Sequence, residues 1–172
     1  RPGAQGCLLL PIALGLRALP LERIPAAGVI SAAFFVAALI HVPVGPSSVH
    51  LMLNGLAGLI LGWAAFPALF VGLVLQTVFF GFGGLTVLGV NALDIALPAV
   101  LVGILFGRLV AHAPPLWAAI WGGIGGALSI ALTTLMVASA LALAGREFLA
   151  AAHLVLVAHL PLMVVEGVLT GF

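Results

Sequence analysis

The sequence predicts an all-α, polytopic membrane bundle of about seven transmembrane helices, and three observations carry that prediction. First, 65% of its 172 residues are hydrophobic and 5% are charged, against roughly 25% charged in a soluble domain. The mean hydropathy is +1.42, so lipid is the natural solvent for this surface. Second, apolar runs recur along the whole chain at lengths near the ~20 residues that cross a bilayer as helix. Third, those Leu/Ala/Val/Gly runs lack the polar alternation of a barrel strand. Helices and closed barrels are the folds that satisfy their backbone in hydrocarbon.

Turn residues divide the chain into elements. The first apolar segment, Gly6 to Leu19, is short for a span and ends in the polar stretch Arg17 to Arg23. The second runs from Ile24 to Val42. After a Pro-Val-Gly-Pro-Ser-Ser turn the third is expected from Ser48 to Gly62. The stretch Gly62-Trp-Ala-Ala-Phe-Pro67 reads as a tight turn into a fourth segment ending near Phe82. A glycine-rich connector, Gly81 to Gly89, leads to the fifth, Asn91 to Phe106, and Pro114-Pro115 separates it from a long sixth, Leu116 to Ala144. The seventh begins at Glu147 and continues to Phe172. Residues 1–172 read as a single transmembrane domain, with no signal-peptide pattern at the start.

If the segments alternate, the turns near residues 20, 64 and 112 share one side with Arg17, Arg23 and Arg108. The opposite side holds Arg1 and Arg146, the 43–48 turn and the glycine connector. Positive charge favours the cytoplasm, which puts the 43–48 turn and the glycine connector at the outer face. Five Arg, no Lys and four acids form no basic patch for nucleic acid. A lone cysteine, Cys7, excludes an internal disulfide and a Cys-based metal cluster.

The stretch Ile40 to Gly55, IHVPVGPSSVHLMLNG, gathers His41 and His50 at that outer face. A neutral imidazole suits nickel, cobalt, copper or zinc, so His50 is either a metal ligand or a helix-end histidine bonded to a backbone carbonyl. His41 is the weaker candidate. Asn54, four residues after His50, is expected to share its helix face. Asn91 and Asp94 are expected in the first turn of the fifth helix, where Asn caps and an acid meets the helix dipole. Asn91 is alternatively an orienting partner for a ligand. Glu166 lies in an apolar helix with His159 and Met163 on its face, and an intramembrane carboxylate marks function by default. Pairing with His159 or a neighbouring helix is the expected role, and a position near the inner end of its helix puts it far from His50. His112 reads as a solvated loop residue and His153 as a helix residue without a metal role.

Small residues let membrane helices approach closely. Gly55, Gly58 and Gly62 therefore mark either internal packing or contact with another subunit, and the Gly122-Gly123 and Gly125-Gly126 pairs mark the sixth helix. The chain carries no P-loop lysine motif, no HExxH and no GxSxG. ATP hydrolysis, if it drives this protein, belongs to another chain.

The blocks HVPVGPSSVHLMLNGLAGLILGWAAFPA, GFGGLTVLGVNALDIALPAV and AHLPLMVVEGVLTGF resemble the CbiM/NikM substrate-binding components of energy-coupling-factor transporters, which take up cobalt or nickel ions. The resemblance runs from Ile24 to Phe172 and implies a seven-helix bundle in the bacterial inner membrane with an outward N-terminus. It implies no cofactor, with Co²⁺ or Ni²⁺ as transported substrate. It also implies partners: a CbiQ/NikQ-type coupling subunit, CbiO/NikO-type ATPases and a small CbiN/NikN-type membrane protein. In that family a Met-His pair at the N-terminus supplies an amine, an amide nitrogen and an imidazole, and a further imidazole comes from the position matched by His50. This sequence begins Arg1-Pro2-Gly3. The short first segment leads us to expect further residues ahead of it in the complete protein. Two other readings compete with the transport component: a membrane scaffold or assembly subunit, and an intramembrane metalloenzyme using His50, His159 and Glu166.

Overall fold

The computed structural model describes residues 3–44, 47–81 and 84–172, with side chains from Leu8 onward except in the strand residues 41–44 and 47–49. The all-α membrane bundle is observed. Its helices are α1 (Gly3–Arg17), α2 (Ile24–Ala37), α3 (Asn54–Leu61), α4 (Ala65–Phe80), α5 (Gly84–His112), α6 (Pro115–Ala144) and α7 (Leu149–Gly171). One feature was not expected. The segment between α2 and α3 is a hairpin of two short antiparallel strands, β1 (His41–Val44) and β2 (Ser47–His50), with His41 opposite His50. The tip of the expected turn, residues 45 and 46, lies outside the described residues.

Local chemistry accounts for most boundaries. Pro115 starts α6, where its missing N–H costs nothing, and Pro114 disfavours helix in the residue before it. Gly81 ends α4 in the left-handed conformation at φ +69, the usual role of a glycine there. Pro25 sits in the first turn of α2.

Length and apolarity qualify four continuous helical stretches as spans among the described residues: Asn54–Phe80, Gly84–His112, Pro115–Ala144 and Arg146–Gly171. A fifth forms if α1 and α2, bent by 101° at Ala18–Pro20, count as one broken span. Length and composition thus give four or five candidate spans among the described residues. The eight residues of α3 rise only about 12 Å against a hydrocarbon core of about 30 Å.

Within Asn54–Phe80 the chain changes direction at Gly62 (φ +57, ψ −125). Asn54 bonds Ile95 and Gly58 abuts Ala99, so α3 runs parallel to α5. It ends in a cavity that Leu59 to Gly62 share with Arg23, Arg108 and His112. The turns near residues 20, 64 and 112 therefore lie together, at the end opposite the hairpin.

The core is built on close backbone approach. A Cβ added at Gly55 would lie 2.7 Å from Gly126 Cα, and one at Gly58 would collide with the Ala99 backbone. Gly123 and Gly167 meet across α6 and α7, each with the other's carbonyl oxygen 3.0 Å from an added Cβ. Of the Gly55-Gly58-Gly62 set, Gly55 and Gly58 serve internal packing against α6 and α5, while space is open at Gly62. Phe34, Phe66, Leu69, Ile130 and Leu162 fill the remaining interior. The most exposed span is α7: only 17% of its apolar window is buried, against 56% for Asn54–Phe80.

Candidate metal site

β2 ends at His50, and residues 51–53 are neither strand nor helix. The backbone stays in register one step further, since Leu51 N donates to Ile40 O at 3.1 Å. His50 is therefore a strand-end residue and not the first residue of a helix, which removes the expected helix face shared with Asn54. The cause is local. Leu53 takes the left-handed conformation at φ 51, so α3 cannot extend back through it.

The His50 ring is partly buried, and its Nδ1 lies 3.3 Å from Leu51 O. A carbonyl only accepts, so this contact is made with the ring proton on Nδ1. Metal-binding histidines are oriented in this way by a backbone carbonyl. The bond to a carbonyl and the ligand role, set as alternatives in the sequence reading, are thus compatible.

His50 lines a cavity of about 210 Å³ together with Met52, Asn91, Asp94, Thr133 and His159, among others. Two expectations fail here. Because α5 begins at Gly84, Asn91 and Asp94 lie in its third turn and cap nothing. The glycine connector winds into helix instead of remaining a loop, which turns both side chains towards His50's cavity. His159, on α7, reaches the same cavity, and its Nδ1–H donates to its own helix at Val155 O, 2.8 Å away. No group of three or more His, Cys, Asp or Glu among the described residues stands close enough to hold a metal by itself. The backbone of His41 faces His50 across the hairpin, and its side chain lies outside the described residues.

Asn54 is fully buried. Its Nδ2 donates to Ile95 O at 3.1 Å and to Thr133 Oγ1 at 3.0 Å, which fastens the start of α3 to α5 and α6. Glu166 is the larger correction. It is fully buried, and its Oε1 accepts hydrogen bonds from Met52 N and, at 2.7 Å, from Leu53 N. It is therefore close to His50 along the chain path, not remote from it. The expected partners are His159 or a neighbouring helix; the observed ones are instead the main-chain amides of the turn just ahead of α3. Sequence reasoning missed the proximity because it began the third helix at Ser48. Starting it at Asn54 lets the hairpin dip inward to meet α7. His112 lies at the exposed C-terminus of α5, its Nδ1–H donating to Arg108 O at 2.9 Å, and His153 is exposed on α7.

A multi-pass helical membrane protein with an imidazole- and carboxylate-lined cavity at one end is a membrane component of the kind that handles transition-metal cations. The particular family follows from comparison. The CbiM profile, described as the cobalt uptake substrate-specific transmembrane region, matches residues 4–172. The chain belongs to that family and is a membrane component of cobalt or nickel transport. It is 46% identical over 166 residues to a Haemophilus influenzae protein named as a metal transport protein, covering 92% of this chain and 78% of that one. It is 38% identical over 77 residues to the fused nickel transport protein NikMN of Rhodobacter capsulatus, covering 44% of this chain and 22% of that protein. Two crystal structures of transition metal transporters, one of them truncated, superpose with a TM-score of 0.74 at 26% identity. Both cover 98% of this chain, and 88% and 83% of their own.

Proposed function

We propose that residues 1–172 form the substrate-binding domain of an ATP-driven energy-coupling-factor transporter that imports Co²⁺ or Ni²⁺ across the bacterial inner membrane. The chain captures the metal at its hairpin end, on the outer face, and releases it inward. Energy comes from CbiO/NikO-type ATPases through a CbiQ/NikQ-type coupling subunit, because this sequence has no nucleotide-binding motif of its own. The fused NikMN relatives support a CbiN/NikN-type neighbour. The chain itself is not an enzyme.

His50 is the proposed metal ligand. The observation that carries the reading is its ring, oriented by Leu51 O and lining a polar cavity, in a chain matched by CbiM along residues 4–172. Asn91 lines that cavity and His41 stands opposite His50, which keeps both as weaker candidates. Asn54 acts by holding α3 and not by touching metal. Imidazole and amide nitrogens suit cobalt and nickel alike, so these residues select the class and not the element. The test is Co²⁺ and Ni²⁺ uptake by cells expressing the complete transporter with His50→Ala. Uptake falls to that of cells lacking the chain, and uptake at the wild-type level overturns the assignment.

A further inference from the structure

We infer that Glu166 is a positioning residue for metal capture, holding the turn between His50 and α3 through Oε1; this rests on the reading of His50 as a ligand. Residues 51–53 are the point where an extended hairpin becomes a helix, and the Met52 and Leu53 amides lie past the last hairpin bond, Leu51 N to Ile40 O, and ahead of α3. Leu53 is also in a conformation that leucine rarely adopts. Such a turn keeps its shape only if something outside it over-determines it. The Glu166 carboxylate does so, taking two successive amides, Met52 N and Leu53 N, from 114 and 113 residues away in the sequence.

The carboxylate is itself set on a rigid platform. Gly126 lets α7 approach α6 so closely that an added Cβ would lie 2.8 Å from Glu166 O and 2.6 Å from Thr170 Oγ1. With Asn54 bonded to α5 and α6, residues 52–54 are pinned by three different helices. His50 is two residues from Met52, and the carbonyl that orients its ring belongs to Leu51, between them. A shift at the clamp therefore becomes a rotation of the imidazole. Glu166 is fully buried, spends Oε1 on the backbone and does not line the His50 cavity, so it acts through His50 and not on the metal.

The test uses the complete transporter in membranes, with hydrogen–deuterium exchange over residues 50–54 read beside the half-saturation of Co²⁺ uptake. Glu166→Ala speeds exchange at the Met52 and Leu53 amides and raises half-saturation, each by about tenfold, the scale of losing charge-assisted bonds at a buried site. Glu166→Gln keeps an oxygen acceptor, so it retains most of the protection and a half-saturation near wild type. If Glu166→Ala does not fold, Glu166→Asp, which withdraws the acceptor by one methylene, takes its place with the same directions. A folded variant that changes exchange without uptake, or uptake without exchange, overturns the inference, as does a Gln variant no better than Ala. His50→Ala separates the two readings. Wild-type uptake in that variant defeats the ligand assignment, whereas lost uptake in it beside a normal Glu166→Ala defeats the positioning role alone.

Discussion

At the hairpin end of the bundle, Asn91, Asp94, His50 and His159 line a cavity of about 210 Å³; at the other end, Arg23, Arg108 and His112 line one of about 420 Å³. The chain has little charge, and the two cavities differ in the sign of what lines them. The first cavity offers imidazoles, an amide and a carboxylate, groups that attract and ligate a divalent cation. The second presents two guanidiniums, which repel one. In the import reading proposed above, the arginine end is the cytoplasmic one and the cation-attracting end is the one that captures metal. α5 lines both cavities, and the short α3 packs parallel to it, from Asn54, bonded to Thr133 of the first cavity, to Leu59–Gly62 in the second.

The largest effect is expected from breaking that connection. At Gly58 even a methyl group meets the Ala99 backbone, which cannot swing aside as a side chain would. Overpacking commonly costs about 1–3 kcal/mol, and a leucine against backbone exceeds that. Gly58→Leu is expected to yield no folded, monodisperse protein on size-exclusion chromatography after extraction. Normal yield of a well-behaved variant would show that α3 is not the strut between the two ends.

A smaller effect separates the ends by charge. Asp94 is buried and faces the His50 cavity, and a carboxylate some angstroms from a cation contributes on the order of a kcal/mol even in a well-screened setting. Asp94→Asn keeps the shape and removes that attraction. The half-saturation for Co²⁺ uptake is expected to rise several-fold with the maximal rate little changed. An unchanged half-saturation would remove Asp94 from the account of capture.

Much of this arrangement was legible in the sequence because composition decides solvent, and prolines and glycines decide where apolar runs stop. The Pro114-Pro115 break and the turns near residues 20, 64 and 112 all followed from such signals. What was not legible depended on contacts between segments far apart in sequence. Leu53 carries no mark of its left-handed backbone, so the third helix was begun six residues early and Asn54 was placed on a helix face with His50. The glycine connector carried turn residues, yet α5 begins at Gly84, and residues 84–90, none of them buried, show no packing that explains it. Glu166 was recognised as unusual, yet its partners are main-chain amides, and a backbone amide has no signature in a residue sequence.

The smallest effect tests whether the ends are independent. Asp94 and Arg108 lie on the same helix, fourteen residues apart, which is about 21 Å along its axis. Arg108 is exposed, and exposed charges are largely screened beyond about 8–10 Å at ordinary ionic strength. Arg108→Gln therefore removes a cation from one cavity without a direct electrostatic route to the other. The half-saturation for Co²⁺ uptake is expected to stay within about twofold of wild type. A shift as large as that of Asp94→Asn would mean that the arginine end acts on the metal end by moving it. Since α5 lines both cavities, the same measurement repeated with Arg23→Gln, which lines the second cavity from outside α5, would then separate a motion of α5 from a general effect of removing charge at that end.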